Sequence, residues 1–226
     1  LASGWRSHSG LMTRRVGRRL PLWLMTSSAT EDELRRTLGD RVDGEQIATF
    51  LQQLSLRVTP TGELLLDARG RPDLHAPGHG DLVDALRDSG LVTAFLARGG
   101  RTVMVTNVDN LGATLDPLVV GFHLEHGKPV TCEVVDQVGS DRGGIPVRLD
   151  GHPVVLEEFR LPAGFDPTSV RVFNTNTFLF DARALAGLAF EWTFFAVTKQ
   201  VAGAPTVQFE RLLGEVTSHL DTVFLH

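Results

Sequence analysis

The chain has 226 residues, 27 acidic against 22 basic side chains, a formal net charge of −5 and 42% hydrophobic residues. That balance argues against a general nucleic-acid surface. No apolar run approaches the ~20 residues that span a bilayer and no secretory pattern is present, so a cytoplasmic protein binding neither nucleic acid nor membrane is expected.

In chain order, Leu22 to Met25 predicts a short buried strand, and Thr30-Glu31-Asp32-Glu33 has the form of a capping box for a helix carrying Leu34 and Leu38. Ile47 to Phe50 is expected to be extended. Leu54 to Val58 and Leu64 to Leu66 flank Pro60-Thr61-Gly62 as a hairpin. A loop rich in Pro, Gly and His follows, and Asp81 is placed to cap a helix with Val83, Leu86, Leu91 and Phe95 at helical spacing. Thr102 to Thr106 is an apolar strand. Asp116-Pro117 opens another helix, reaching about Glu125. From Val130 to Phe159 the long β-rich runs, with Asp150-Gly151 as a tight turn, predict an antiparallel insertion beside the main sheet. The single cysteine, Cys132, lies in this pattern and reads as a small buried residue. Val170 to Phe173 is a strand ending in Asn174-Thr175-Asn176, Ala182 to Leu188 a short helix, and Phe194 to Val201 a strand. Val207 to Leu220 is predicted as a final helix with Phe209, Leu212, Leu213, Val216 and Leu220 on its apolar face. Strands alternate with helices, so the fold class is α/β with a mostly parallel, doubly wound, Rossmann-like sheet.

Two loops carry the chemical signal. Asn107-Val108-Asp109-Asn110-Leu111-Gly112-Ala113 follows the Thr102 strand, where an α/β sheet binds ligands, and Asp109 offers hard oxygens to Mg²⁺. Upstream, Pro77-Gly78-His79-Gly80-Asp81 has two glycines around one histidine, which lets backbone approach a flat or anionic group. Either loop alone is an ordinary turn or polar strand end; in this order they point to phosphate chemistry at adjacent strand tips. Arg14, Arg15, Arg18 and Arg19 form a basic run that reads as a solvated helix face.

With these motifs the chain resembles the UTP-dependent glucose-1-phosphate uridylyltransferases, the UDP-glucose pyrophosphorylases of the eukaryotic-like type. The resemblance runs through P-L-W-L-M-T-S at Pro21 to Ser27, P-G-H-G-D, S-G-L at Ser89 to Leu91 and V-T-N-V-D-N-L-G-A at Val105 to Ala113. It continues through C-E-V at Cys132 to Val134, Gly143-Gly144, F-N-T-N at Phe173 to Asn176 and V-Q-F-E at Val207 to Glu210. It implies transfer of UMP from UTP to glucose 1-phosphate, giving UDP-glucose and pyrophosphate, with Mg²⁺ held by Asp109. Gly78 and Gln52, with Gln53 as an alternative by register, are implied at the uracil, Asn107 near the metal, and His79 at a phosphate or sugar hydroxyl. Gly144, Glu157 (rival Glu158), Asn174 and Asn176 are implied at the hexose, and the last two share a side if the segment is extended.

Departures from the family pattern are Arg142 for a lysine, Thr26 for an asparagine and Thr177 for a second asparagine. The family's glycine-rich loop and two lysines are not found, so residues 1–226 are expected to be the central part of a single nucleotidyltransferase domain, truncated at both ends. The β-rich, sugar-binding insertion is expected at about 130–160. Lacking one such cation costs about 10²- to 10³-fold in rate, so the isolated fragment is expected to be a poor catalyst. Two alternatives stay open: a sister pyrophosphorylase for another hexose 1-phosphate, and a non-catalytic nucleotide-sugar-binding protein.

Overall fold

The computed structural model describes residues 17, 20–139, 143–166 and 169–226. The basic run before Pro21 and the Arg142 position lie outside the described residues. The chain forms two compact units, one built on Pro21–Leu91 with Phe190–Leu213, the other on Val92–Ala189 with Gly214–His226.

In the first unit, β1 (Leu22–Thr26) and β2 (Ile47–Leu51) pair in parallel through the crossover helix α1 (Glu31–Leu38). Thr30 is the N-cap of α1, but the expected capping box does not form: its hydroxyl accepts from Ser27 N–H at 3.1 Å and from no helix N–H, and Ser27 O accepts from the N–H groups of Thr30 and Glu31 in the turn before the helix. β3 (Ser55–Leu56) pairs antiparallel with β4 (Leu74–His75). The expected hairpin survives as a turn at Thr59–Gly62 with one bridge, Val58 to Leu64. Helix α2 (Leu82–Asp88) stops short of Leu91, because Gly90 takes φ +74 and separates it from α3 (Leu91–Ala97). The single helix expected here is therefore two.

The C-terminal part of this unit corrects a second expectation. Val207 is not in a helix: β10 (Phe195–Val201) and β11 (Ala204–Glu210) form an antiparallel hairpin, turning at Ala202 (φ +50) and Gly203 (φ +82). Thr206 and Gln208 are the buried positions of β11, and with its amide assigned so that the oxygen faces Arg57, Gln208 accepts from Arg57 Nε at 2.7 Å. The inward face is polar, so hydropathy alone misses its period of two. Leu213–Ser218 follows as a 3₁₀ segment.

The second unit holds a four-stranded mixed sheet in the order β12–β6–β9–β5, from β5 (Thr102–Val105), β6 (Val130–Asp136), β9 (Val172–Asp181) and β12 (Thr222–Leu225). β12 runs parallel to β6, while β6 with β9 and β9 with β5 are antiparallel. The chain is thus mixed α/β, and β6 is an inner strand of this sheet rather than part of an insertion. β7 (Ile145–Leu149) and β8 (His152–Leu156) alone make the separate hairpin, around Asp150 (φ +51) and Gly151 (φ +83) as expected. β9 runs past the asparagines to Asp181, because Phe178, Leu179 and Phe180 in succession bury both faces of an inner strand. A fully buried side chain of this kind contributes about 1.5–3 kcal/mol, which outweighs the local preference of Asn-Thr-Asn for a turn. Helix α4 (Pro117–His126) is capped by Asp116, whose carboxylate accepts from Leu118 N–H at 2.8 Å, and α5 (Ala182–Gly187) by Asp181. Among the described residues no helix is long and apolar enough to cross a membrane.

Candidate functional site

The first unit carries the 77–81 loop. Pro77 O accepts from Arg211 N–H (2.6 Å) and Arg211 O from Gly80 N–H (2.9 Å), so chain lies against chain on both sides of Gly78. A Cβ at Gly78, where φ is +87, would lie 2.7 Å from Arg211 O, and one at Gly80 would lie 2.6 Å from Arg211 C. The first reason for both glycines is thus internal packing.

Asp81 does not cap α2. Its carboxylate is fully buried, accepts from Gln53 N–H and pairs with the Arg211 guanidinium, which reaches Asp84 at 2.7 Å. A buried charge demands a charged partner, and that demand overrides the cap. Leu213 N–H donates to His79 Nδ1 at 2.9 Å, which leaves the proton on Nε2. Burial holds the His79 pKa below the ordinary imidazole value, against the pull of Glu210. His79 is therefore a neutral donor. Gln52 is half-buried just past the end of β2, with its backbone N–H bonded to Thr26 O at 2.9 Å, while the Gln53 side chain turns to Arg211 at 3.3 Å.

In the second unit the 107–113 loop leaves β5. Asn110 organises it: its Oδ1 accepts from Gly112 and Ala113 N–H, both at 3.2 Å, and its Nδ2 donates to Thr177 Oγ1 at 3.2 Å. Asp109 is exposed on this loop, and Asn176 Nδ2 donates to Asn107 Oδ1 at 2.8 Å. Asn176 takes φ +60, so the extended alternation that would set Asn174 and Asn176 on one side is broken. The Asn174 side chain turns inward. Its Nδ2 donates to Glu133 O (2.9 Å) and Cys132 Sγ (3.1 Å), filling the register shift between Cys132 and Val134, and its Oδ1 accepts from Asn176 N–H. The Asn174 backbone N–H donates to Gly144 O at 2.8 Å.

Glu157, not the exposed Glu158, lies beside Gly144, where a Cβ would come within 3.0 Å of Glu157 Oε1. Burial raises the Glu157 pKa, and Arg160 partly opposes it. Cys132 is buried with its thiol pKa pushed up by desolvation, which fits a structural residue.

Among the described residues no three His, Cys, Asp or Glu side chains gather as a metal site. Asp109 nonetheless fits Mg²⁺, a hard cation that keeps most of its shell as water and substrate phosphate and takes one or two carboxylates from protein. Arg211, Asp84, Asn110 and Thr177 were missed as organising residues. Asp81 and Asp84, one helical turn apart, were a legible sign that a cation was needed.

The profile of UTP–glucose-1-phosphate uridylyltransferase matches residues 8–223. A protein of that name from Astragalus penduliflorus is 27% identical over 225 residues, 93% of this chain and 48% of its own length. One from Saccharomyces cerevisiae is 30% identical over 190 residues, 78% of this chain and 38% of its own. This chain thus spans less than half the length of these curated relatives. In fold it is similar to a UDP-glucose phosphorylase from Trypanosoma brucei, with TM-score 0.82 and 23% identity over 98% of this chain and 53% of that one.

Proposed function

Because the chain belongs to the UTP–glucose-1-phosphate uridylyltransferase family, we propose that its protein transfers UMP from UTP to glucose 1-phosphate, giving UDP-glucose and pyrophosphate. The observation that carries the reading is the Asn107–Asn176 bond, which joins two motifs 69 residues apart at 2.8 Å, two positions before the exposed Asp109.

In this reading the Gly78 backbone and the Gln52 amide meet the uracil. His79 Nε2–H donates to a phosphate or sugar oxygen without adding charge. Asn107 and Asn176 contact the ligand near Asp109, and Gly144 and Glu157 meet the hexose, whose hydroxyls pair with a carboxylate. Asn174 acts by holding the Glu133 carbonyl and the Asn176 backbone in place. Phosphoryl-group transfer has little need of a protein nucleophile, so positioning supplies most of the rate. Mg²⁺, held by Asp109 when bound, supplies neutralisation of phosphate charge. The Rossmann-like, doubly wound arrangement, a single nucleotidyltransferase domain and a cytoplasmic location belong to the same proposal.

The test is pyrophosphate release from UTP and glucose 1-phosphate with Mg²⁺, alongside calorimetric binding of UDP-glucose. Asp109→Ala is expected to abolish release while leaving the circular dichroism spectrum unchanged. Release retained in Asp109→Ala removes that residue from the metal, and absence of any uridine-nucleotide binding rejects the function.

A further inference from the structure

The 77–81 loop and the end of β2 are fastened to one side chain, and we infer that Arg211 is a positioning residue that sets base selectivity by fixing the Gly78 backbone relative to Gln52. This deepens the proposed function and rests on its assignment of Gly78 and Gln52 to the base.

Three connections converge on this residue. The Arg211 backbone is bonded to Pro77 O and Gly80 N–H, on either side of Gly78. One of its terminal nitrogens binds Asp81 Oδ1 and Gln53 Oε1, and the other binds Asp84 Oδ2. The second oxygen of Asp81 accepts from Gln53 N–H, so the residue next to Gln52 is held from both its backbone and its side chain. Gln52 itself is tied to Thr26 O. Trp192 and Phe194 lie against the guanidinium, at 5.5 and 5.7 Å from the central carbon to the ring centroids.

A planar fork satisfies these acceptors together, whereas a lysine ammonium is a point donor on a flexible stem. The arrangement is a poor device for stability alone. Arg211 is 5% exposed, its Nε is buried without a hydrogen-bond partner, and a buried ion pair of this kind rarely outperforms apolar packing. What it supplies is geometry: two segments that present groups to a base are locked to one rigid plane. Asp84 keeps Trp192 Nε1 (3.0 Å) and Arg87 (2.8 Å) as donors if the guanidinium leaves, but among the described residues the Asp81 carboxylate keeps only Gln53 N–H, so the loop bearing Gly78 is the part that would shift.

The experiment measures calorimetric binding of UMP and CMP to the full chain and to Arg211→Lys. The wild type is expected to prefer UMP. Arg211→Lys is expected to stay folded by circular dichroism, bind UMP more weakly and lose about tenfold of the UMP/CMP ratio. A ratio unchanged in folded Arg211→Lys, with both nucleotides weakened alike, overturns the inference. If Arg211→Lys does not fold, Asp81→Asn decides, since its amide cannot accept from both Gln53 N–H and the guanidinium as the two carboxylate oxygens do, while Arg211 stays paired with Asp84; a fall in the ratio supports the inference and an unchanged ratio overturns it. Should the wild type bind no uridine nucleotide, the proposed function fails and the inference falls with it. Wild-type binding with an unchanged variant ratio sinks only the role of Arg211.

Discussion

Gly80→Ala measures how tightly the 77–81 loop is clasped. Gly80 sits in the 3₁₀ turn His79–Asp81 and has no left-handed φ, so on backbone grounds alanine is acceptable and, in open space, would stabilise by about 0.4–1 kcal/mol. The space is not open. The added Cβ would lie 2.6 Å from Arg211 C, 2.7 Å from Leu212 N and 2.9 Å from Arg211 Cβ. Two of these are backbone atoms, so relief requires moving the 211–212 chain, which is fixed by Gly80 N–H to Arg211 O and Arg211 N–H to Pro77 O. Overpacking of this sort costs about 1–3 kcal/mol, and weakening one of those bonds adds about 1 kcal/mol. A loss of about 2–4 kcal/mol is expected, or a fall in Tm of roughly 5–15 °C. Urea unfolding followed by fluorescence in a Trp5→Phe, Trp23→Phe background reads it locally, because the remaining Trp192 indole N–H is bonded to Asp84 beside the loop. Gly90→Ala is the control: φ is +74 with no atom within 4 Å, so it bears only the left-handed penalty of about 1–2 kcal/mol. A Gly80→Ala stability within about 0.5 kcal/mol of wild type would show that the loop is not clasped by the 211–212 chain.

Two further outcomes follow from the second unit. Lys128 N–H donates to His126 Nδ1, which requires a neutral His126 that donates from Nε2 to Thr131 Oγ1 at 2.7 Å, and Thr131 Oγ1 lies 2.8 Å from His123 Nδ1. Burial lowers both pKa values, with Asp181 opposing at His123 and Lys128 assisting at His126. A lowered histidine pKa means the unfolded chain takes up protons first, so this stability is complete above about pH 6.5 and is lost as pH falls through that value. The urea midpoint should drop between pH 7.5 and 5.5, and His123→Phe should flatten the drop; an equal slope in the variant would discard the assignment. Asn110→Ala removes the bonds to Gly112, Ala113 and Thr177 and should cost about 1–3 kcal/mol while speeding amide exchange at Gly112 and Ala113. Unchanged exchange there would show that the loop is ordered by something else.

The sequence by itself determined the family, the α/β class and those elements whose ends are coded locally. Asp116-Pro117 starts α4 and Asp150-Gly151 turns β7 into β8, because an N-cap, a proline ring and a left-handed pair act over a few residues. Tertiary structure alone decided the rest. Val207 to Leu220 has a helical spacing of apolar residues, yet β11 forms because its backbone pairs with β10 and its buried Thr206 and Gln208 side chains find partners in Ala204 O and Arg57. Phe173-Asn174-Thr175-Asn176 stands out along the chain, but not that Asn174 fills a register shift while Asn176 reaches Asn107. Arg211 was invisible for the same reason: its partners Asp81 and Asp84 stand more than 120 residues away. Local propensity is summed along the chain, whereas a buried charge or an unpaired amide is answered only by whatever the fold brings within hydrogen-bond reach.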